Sequence, residues 1–321
     1  MQARPAFPPR LFLIGAQKCA TTYFAECLAA DPRIALAQPK EPDFFTRHHD
    51  RGLDWYRGCF AHADPAVQVL VDASTSYSVA PGDADQQADR PLAGVPGRIL
   101  AQAPDARFVY IVRDPVKRVH SAYWHAVAAG SEQRPFRSAV DADPWYLDAS
   151  RYARQLRGYL AHVPSERVLV MEMRRVIADP GAAVAQVCRH VGLPAPVDLH
   201  LPASERNASY RLNALGGLLA VGGGDRDRLR RVAGRARSLM PERLYGLLRR
   251  GVTRGLPEMT AADAAYVRQR LGDDPQQFAA LTGIDLIAPA RMPAYGIRPA
   301  RKVYAFGRAA AAGRGRIAWS T

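Results

Sequence analysis

The feature that most constrains the fold of this chain is an apolar run, residues 11–14, that leads through a short loop into two threonines. The stretch reads LFLIGAQKCATTYF, and Lys18 is its only charged residue. A strand, a loop with glycine and lysine, and a helix that begins with hydroxyls form a site for a phosphate group, because main-chain N–H groups and the positive end of the helix dipole point at the anion. The alternative is an ordinary strand-loop-helix turn with a surface lysine.

The loop differs from the one that nucleotide triphosphatases use. That loop has the form G-x-x-x-x-G-K-[ST], with a second glycine and with the lysine directly before the hydroxyl. Here Lys18 comes three residues after Gly15, so the loop is shorter. The sequence therefore predicts a phosphate site of a different kind.

A second apolar run, FVYIV, ends in Arg113. A continuous aromatic and β-branched run is typical of a strand buried on both faces of a parallel sheet. Pro115 suits the first position of a helix, and Ser121 follows within two turns. Ligands bind at the carboxyl ends of strands in open α/β sheets, so Arg113 and Ser121 are predicted to converge on one oxyanion. Alternatively, Arg113 forms a salt bridge to Asp114 or Glu41, and Ser121 is a surface hydroxyl.

The end of this second run also bears on metal binding. A magnesium-dependent nucleotide hydrolase or kinase would usually place an aspartate there to hold the metal. This chain places Arg113 at that position, with Asp114 after it. The pattern favours a nucleotide that carries an extra phosphate, and no metal is expected.

Strand and helix patterns alternate along the chain. We expect strands near residues 11–14, 68–72, 107–112 and 167–171, and helices near 21–30, 115–129, 150–162 and 181–191. This alternation predicts an α/β fold of the P-loop-like, three-layer kind, with a central parallel sheet and helices on both faces.

Several ordered motifs resemble those of sulfotransferases that use 3′-phosphoadenosine 5′-phosphosulfate (PAPS), in the bacterial and heparan-sulfate-type carbohydrate branch. GAQKCATTYFAECL resembles their 5′-phosphosulfate loop, and VYIVRDPVKRVHSAYWH resembles their 3′-phosphate motif. Between these, PKEPDFF is similar to the Lys-Glu-Pro-x-Phe-Phe segment, and DASTSY to the segment that follows it. The likeness covers residues 10–215 and, more loosely, 256–289.

The resemblance implies a set of residues that hold the co-substrate. Lys18 would bind the 5′-phosphosulfate and neutralise the bridging oxygen as it leaves, and Arg113 and Ser121 would clamp the 3′-phosphate. Main-chain amides and hydroxyls of the loop would hold the 5′-phosphate, through Cys19, Ala20, Thr21 and Thr22. The segment SERNASYR occupies the place of a mobile basic loop in relatives, so Arg206, Asn207 and Arg211 are further candidates, although the family's Lys-Gly-Arg sequence is absent.

The resemblance also implies the catalytic residues. Glu41 would be the general base that removes the acceptor hydroxyl proton, and Lys40 would support the sulfuryl group. Many heparan-type relatives carry histidine two residues after this glutamate, where this chain has Asp43, and this departure weakens the case for a heparan-like acceptor. Two alternatives stay open: Glu41 stiffens the site through a salt bridge to Arg113 or Lys18, or His125 is the base.

Charge is concentrated in two blocks. The net charge is 44 − 30 = +14, and residues 225–254 and 290–321 each contribute +7. The first block has apolar residues at helical spacing and is expected to be a basic amphipathic helical insertion, whereas the second is expected to be a disordered tail. Both blocks could be solvated, or they could contact an anionic acceptor or a membrane surface. No nucleic-acid module accompanies them, so we expect no binding of nucleic acid.

Composition favours one large domain, residues 8–289, followed by the tail. No run approaches the ~20 apolar residues that span a bilayer, and the first ten residues lack the core of a signal peptide. The four cysteines, Cys19, Cys27, Cys59 and Cys188, show no paired spacing, so we expect reduced thiols. We also expect a cytoplasmic location, with peripheral contact to the inner membrane as an option.

Taken together, these patterns predict a PAPS-dependent sulfotransferase that acts on a hydroxyl of a carbohydrate, glycolipid or secondary metabolite. Residues 43–62 and 130–150 are the candidate walls of the acceptor site. One alternative is a P-loop phosphotransferase that acts on a small molecule. The other is a non-enzymatic basic adaptor that binds anionic lipid or polymer.

Overall fold

The computed structural model describes residues 7–79, 93–202, 210–212, 253–255 and 257–287, with side chains for all but 210–212 and 253–255. Five parallel strands form the main sheet, in the spatial order β2-β3-β1-β4-β5. They are β1 (Leu11–Gly15), β2 (Ile34–Leu36), β3 (Val69–Asp72), β4 (Arg107–Val112) and β5 (Val168–Glu172). The predicted α/β fold with a central parallel sheet is confirmed.

The central strands are buried along their whole length because apolar side chains occupy both of their faces. All five residues of β1 are buried, as are all but the first of β4. These two strands pair in register, with Leu11 opposite Arg107 and Phe12 opposite Phe108. Parallel pairing brings their carboxyl ends to one edge of the sheet, so the loops that follow β1 and β4 are neighbours.

Eleven helices are assigned within the described residues. They are α1 (Thr21–Leu28), α2 (Gly52–Gly58), α3 (Val95–Gln102), α4 (Pro115–Ala129), α5 (Phe136–Ala142), α6 (Trp145–Asp148), α7 (Tyr152–Leu160), α8 (Met173–Ala178), α9 (Pro180–His190), α10 (Ala261–Leu271) and α11 (Asp274–Thr282). The four helices expected from the sequence correspond to α1, α4, α7 and α9, with ends shifted by two residues at most.

Two hydrophobic clusters organise the helices. The larger one surrounds the sheet, and the smaller one joins α4, α5, α6 and α10 through residues such as Val119, Val140 and Val267. Asp114 caps α4, because its side chain accepts hydrogen bonds from the backbone N–H groups of Val116 (2.9 Å) and Lys117 (3.1 Å). The start of α4 is therefore fixed by both proline and a cap.

A short antiparallel pair lies apart from the main sheet. It joins β6 (Tyr210–Leu212) to β7 (Thr253–Gly255), with Arg211 opposite Arg254, and β6 packs beside α4. The helical insertion predicted at 225–254 therefore ends in a strand, because residues 253 and 254 pair with β6. The rest of that insertion, Arg206, Asn207 and the tail at 290–321 lie outside the described residues.

Candidate active site

The loop after β1, residues 16–20, has a backbone suited to an anion and forms the anion loop. Lys18 and Ala20 both have positive φ angles, 70° and 60°, which non-glycine residues seldom adopt and which concentrate at functional sites. Ala20 precedes α1 without a side-chain cap, so the helix keeps free N–H groups at its positive end. Thr21 is buried and Thr22 is exposed at this helix start.

Arg113 joins this loop to the end of β4. Its Nη1 donates to the backbone carbonyl of Lys18 at 3.2 Å, and its buried Nε has no hydrogen-bond partner. The Oγ of Ser121, two turns along α4, is also buried and without a partner. Within the described residues Arg113 forms no ion pair with Asp114 or Glu41, so the alternative of a strand-end salt bridge is not supported.

Arg118 is a buried cation that the sequence analysis missed. Its side chain is fully buried, with Nε donating to Ser150 Oγ and Nη2 donating to the backbone carbonyl of Tyr146. Its Nη1 is buried and has no partner. Because Arg118 lies three residues before Ser121, one turn of α4 carries both side chains on the same face. An arginine on the apolar face of a predicted helix was the signal available in the sequence.

Burial and the neighbouring arginines shift the pKa values of Lys18 and Cys19. Burial lowers the pKa of Lys18, and the neighbouring Arg113 and Arg118 lower it further. Burial raises the pKa of Cys19 to about 11, although the same two arginines oppose this. Cys19 is therefore a protonated thiol at neutral pH and not a nucleophile. All four cysteines are free and buried, as the sequence indicated.

Glu41 lies on the segment that follows β2, at the same edge of the sheet. Its Oε1 accepts a hydrogen bond from Lys40 Nζ at 2.5 Å, and its Oε2 accepts one from Thr75 Oγ1 at 2.9 Å. Lys40 also donates to the backbone carbonyl of Ala73 at 3.3 Å. The side chain of Glu41 stays 37% exposed, so an acceptor can reach it. The salt bridge of Glu41 is thus to Lys40, and not to Arg113 or Lys18.

Asp43 is held within its own turn. Its Oδ1 accepts from Ser76 Oγ at 2.7 Å, and its Oδ2 lies 3.5 Å from Arg47. Its backbone N–H donates to Ser74 Oγ at 2.9 Å. The carboxylate at the position where the resemblance leads one to expect a histidine is therefore engaged by neighbours.

His125, the alternative base, and a second histidine, His120, both lie on α4, whereas Glu41 follows β2. His125 is exposed, at the eleventh position of the helix, about 15 Å along the axis from its start. His120 is partly buried, and its Nε2 accepts a hydrogen bond from Trp124 Nε1 at 2.9 Å. Burial lowers the pKa of His120. The anion loop and Arg113 lie at the start of α4, so His125 is distant from both, and the assignment of the base to Glu41 or to His125 stays a prediction.

A sequence profile described as "Sulfotransferase family" matches residues 9–197, which is more than half of the chain. The chain belongs to the sulfotransferase family. The match contains the anion loop, the segment with Glu41, the start of α4 and β5.

Curated relatives of this sulfotransferase-family chain include human enzymes named for heparan sulfate. Human heparan sulfate glucosamine 3-O-sulfotransferase 3B1 is 28% identical over 194 residues, which are 58% of this chain and 46% of that enzyme. Human heparan sulfate glucosamine 3-O-sulfotransferase 6 is 28% identical over 274 residues, 80% of this chain and 73% of that enzyme. The chain thus spans less than half of the first relative and most of the second.

A solved bacterial structure has the same fold as this sulfotransferase-family chain. The sulfotransferase from Alicyclobacillus acidocaldarius matches with a TM-score of 0.53 and 23% identity, over 68% of this chain and 92% of that one. This likeness supports the P-loop-like three-layer architecture.

Parts of the two predicted acceptor walls are buried in the structure. The turn at residues 43–46 borders Glu41, but the aromatic side chains of residues 43–62 lie mainly in the core, among them Phe44, Phe45, Tyr56 and Phe60. Residues 146–150 are buried and supply the partners of Arg118, so this part of the predicted wall 130–150 is not open to an acceptor.

Other predicted features of this family member stay predictions. Arg211 lies on β6, beside α4, where its side chain is not described. The described residues contain no group of three or more His, Cys, Asp or Glu side chains that could hold a metal, and no helix among them is long and apolar enough to cross a membrane. The cytoplasmic location and the contact with an anionic membrane surface are untested.

Proposed function

We propose that this protein transfers a sulfuryl group from PAPS to a hydroxyl of a carbohydrate, glycolipid or secondary metabolite. The observation that carries this proposal is a set of three buried polar atoms without partners near the start of α4: Arg113 Nε, Arg118 Nη1 and Ser121 Oγ. Buried donors without partners are costly, and phosphate oxygens would satisfy them. Arg113 also links this set to the anion loop through Lys18.

The chain's residues suit each part of this reaction. When bound, PAPS would supply the sulfuryl group on its 5′-phosphate and a 3′-phosphate as a second anchor. Arg113 and Ser121 would hold the 3′-phosphate, while Lys18 and the amides at the start of α1 would hold the 5′-phosphate. A cation at the bridging oxygen helps most in the transition state, because negative charge builds there as the bond to sulfur breaks.

Glu41 would act on the acceptor. Its carboxylate takes the proton of the hydroxyl as the hydroxyl oxygen forms its bond to sulfur, and the bond from sulfur to the 5′-phosphate oxygen breaks. Lys40 holds the carboxylate on one side, and the family resemblance assigns to it the support of the transferred group. The relatives named for heparan sulfate favour a carbohydrate acceptor, whereas the engaged Asp43 marks a difference from them.

The first test is thermal stabilisation by adenosine 3′,5′-bisphosphate, compared with ATP and magnesium. A ligand that binds the native state raises the melting temperature by mass action. We expect a rise with the bisphosphate, no rise with ATP and magnesium, and loss of the rise in Arg113→Ala. The matched control is Arg137→Ala, because Arg137 pairs with Asp263 on the exposed surface of α5 and α10.

Each of the other outcomes would favour a different function. A rise only with ATP and magnesium would refute the proposal in favour of a phosphotransferase. No rise with either ligand would favour a basic adaptor. If the bisphosphate binds, transfer of labelled sulfate from PAPS to a panel of polysaccharides, glycolipids and phenolic metabolites then identifies the acceptor class.

A further inference from the structure

Side-chain hydrogen bonds join two segments that are distant in the sequence. The base segment, residues 39–46, follows β2, and the hydroxyl segment, residues 72–78, follows β3. Because β2 and β3 are paired and parallel, both segments leave the sheet at the same edge. Four consecutive side chains of the hydroxyl segment contact the base segment: Ser74, Thr75, Ser76 and Tyr77.

Each of these four residues has a separate target. Ser74 accepts from the backbone N–H of Asp43, and Ser76 bonds to the side chains of Asp43 and Thr46. The hydroxyl of Tyr77 accepts from the backbone N–H of Phe45 at 3.2 Å. Among the side-chain bonds between the two segments, the one from Thr75 is the one that reaches the carboxylate of Glu41.

Thr75 is itself held firmly. It is 4% exposed and begins a turn of 3₁₀ helix, Thr75–Ser78, three residues after the anchor at Asp72. Asp72 is fully buried and accepts hydrogen bonds from Tyr56 (2.7 Å), Tyr77 (2.8 Å) and the hydroxyl of Ser74 (2.6 Å). The oxygen of Thr75 is therefore fixed relative to the sheet, and through it the position of Glu41 is fixed too.

We propose that Thr75 is a positioning residue for Glu41, an inference that rests on the proposed function. A contact with Lys40 alone would let the carboxylate of Glu41 move with the lysine, because the lysine side chain is long and flexible. The hydroxyl of Thr75 adds a second, partly buried contact of 2.9 Å on the other carboxylate oxygen. Two contacts from different directions hold the carboxylate plane, while each oxygen keeps a further lone pair to receive a proton.

The decisive experiment uses water as the acceptor, because water needs no identified substrate. In this reaction the water oxygen bonds to sulfur, the bond from sulfur to the 5′-phosphate oxygen breaks, and Glu41 takes the proton of water. The products are inorganic sulfate and adenosine 3′,5′-bisphosphate. The measured quantities are kcat and KM for sulfate release from labelled PAPS, with bisphosphate binding followed by thermal shift.

The variants separate positioning from folding. Thr75→Val removes the hydroxyl at constant volume, and Thr75→Ser keeps it. Thr46→Val is the matched control, since Thr46 is equally buried and bonds to Ser76 and to the backbone of Asp43, but not to Glu41. Glu41→Gln measures the contribution of the base itself.

We expect Thr75→Val to lower kcat by about 10- to 100-fold, the effect of losing one hydrogen bond to a charged group, with KM and bisphosphate binding unchanged. Thr75→Ser should recover most of kcat, and Thr46→Val should lower kcat much less than Thr75→Val does. A Thr75→Val variant with wild-type kcat, or with a loss no larger than that of Thr46→Val, would overturn the inference. If Glu41→Gln releases sulfate as fast as the wild type, the proposed base is wrong and the role of Thr75 falls with it. A wild type that binds no bisphosphate would instead contradict the proposed function.

Discussion

Gly15 shows how a single residue permits the anion loop. It ends β1 with a φ of 143°, a region that side chains rarely allow. A Cβ at this position would lie 2.2 Å from Ser78 Oγ and 3.3 Å from Ser78 Cβ. The loop and the hydroxyl segment can therefore approach each other only because residue 15 has no side chain.

We predict that Gly15→Ala lowers the free energy of unfolding by about 1–3 kcal/mol, the usual cost of overpacking a buried site. The double variant with Ser78→Ala should recover part of this loss, because the nearest colliding atom is gone. Urea denaturation of the two single variants and of the double variant measures both effects. If the double variant is no more stable than the sum of the two single losses predicts, the collision with Ser78 is not the cause.

Single residues also mark the limit of what the sequence can predict. Lys18, Arg113 and Ser121 follow from a local pattern of strand, loop and helix, and the structure brings the loop and Arg113 together. Thr75 and Arg118 do not follow from such a pattern. Their importance depends on the pairing of β2 with β3 and on the burial of one face of α4, which are long-range features.

Elements with strong local signals were predicted well. The ends of α4 are those expected, because Asp114 and Pro115 define its start and Gly130 ends it. In contrast, β2 has only three residues, and α5, α6, α10 and α11 depend on packing against neighbours rather than on periodicity. Such elements are set by tertiary contacts that a single sequence does not reveal.

The caps of α4 and α9 offer a matched comparison. Asp114 and Asp179 both cap a helix that begins with proline, and Asp179 accepts from the backbone N–H of Ala182 at 2.9 Å. Replacing either by alanine should cost about 1 kcal/mol of stability. Only Asp114→Ala should also weaken bisphosphate binding, because Arg113 directly precedes the cap of α4 and Ser121 lies within the first two turns of that helix.

Isothermal titration with the bisphosphate and thermal denaturation check this prediction. Asp114→Asn is the charge control, since asparagine keeps the cap and removes the carboxylate that opposes anion binding. We expect Asp114→Asn to bind at least as tightly as the wild type. Equal weakening by Asp114→Ala and Asp179→Ala would show that the effect is general destabilisation.

At the scale of the whole molecule, Asp72 and His190 have opposite effects on how stability changes with pH. Burial raises the pKa of Asp72 to about 6, so its contribution to stability falls as the pH rises from about 4 to 6. Burial and the nearby Arg107 lower the pKa of His190 to about 4 from 6.5. Its folded form binds fewer protons than its unfolded form in that window, so its contribution rises with pH.

We predict that the falling contribution of Asp72 and the rising contribution of His190 partly cancel in the wild type. The variant His190→Gln should keep only the falling contribution of Asp72. As the pH rises from about 4 to 6.5, the wild type should gain on the order of 3 kcal/mol relative to this variant. Urea denaturation of both proteins across that range gives the difference directly. A difference that does not change with pH would mean that the His190 ring titrates normally in the folded protein.

The strand order also separates the candidate site into two parts that follow different pairs of strands. The anion loop and the start of α4 follow the central strands β1 and β4, whereas Glu41 and the hydroxyl segment follow β2 and β3 on one side. Each pair of loops is anchored by its own pair of strands. A chimera in which a relative supplies residues 34–78 would thus replace the proposed base, Glu41, together with the segment that positions it, and would leave the anion loop and the start of α4 unchanged.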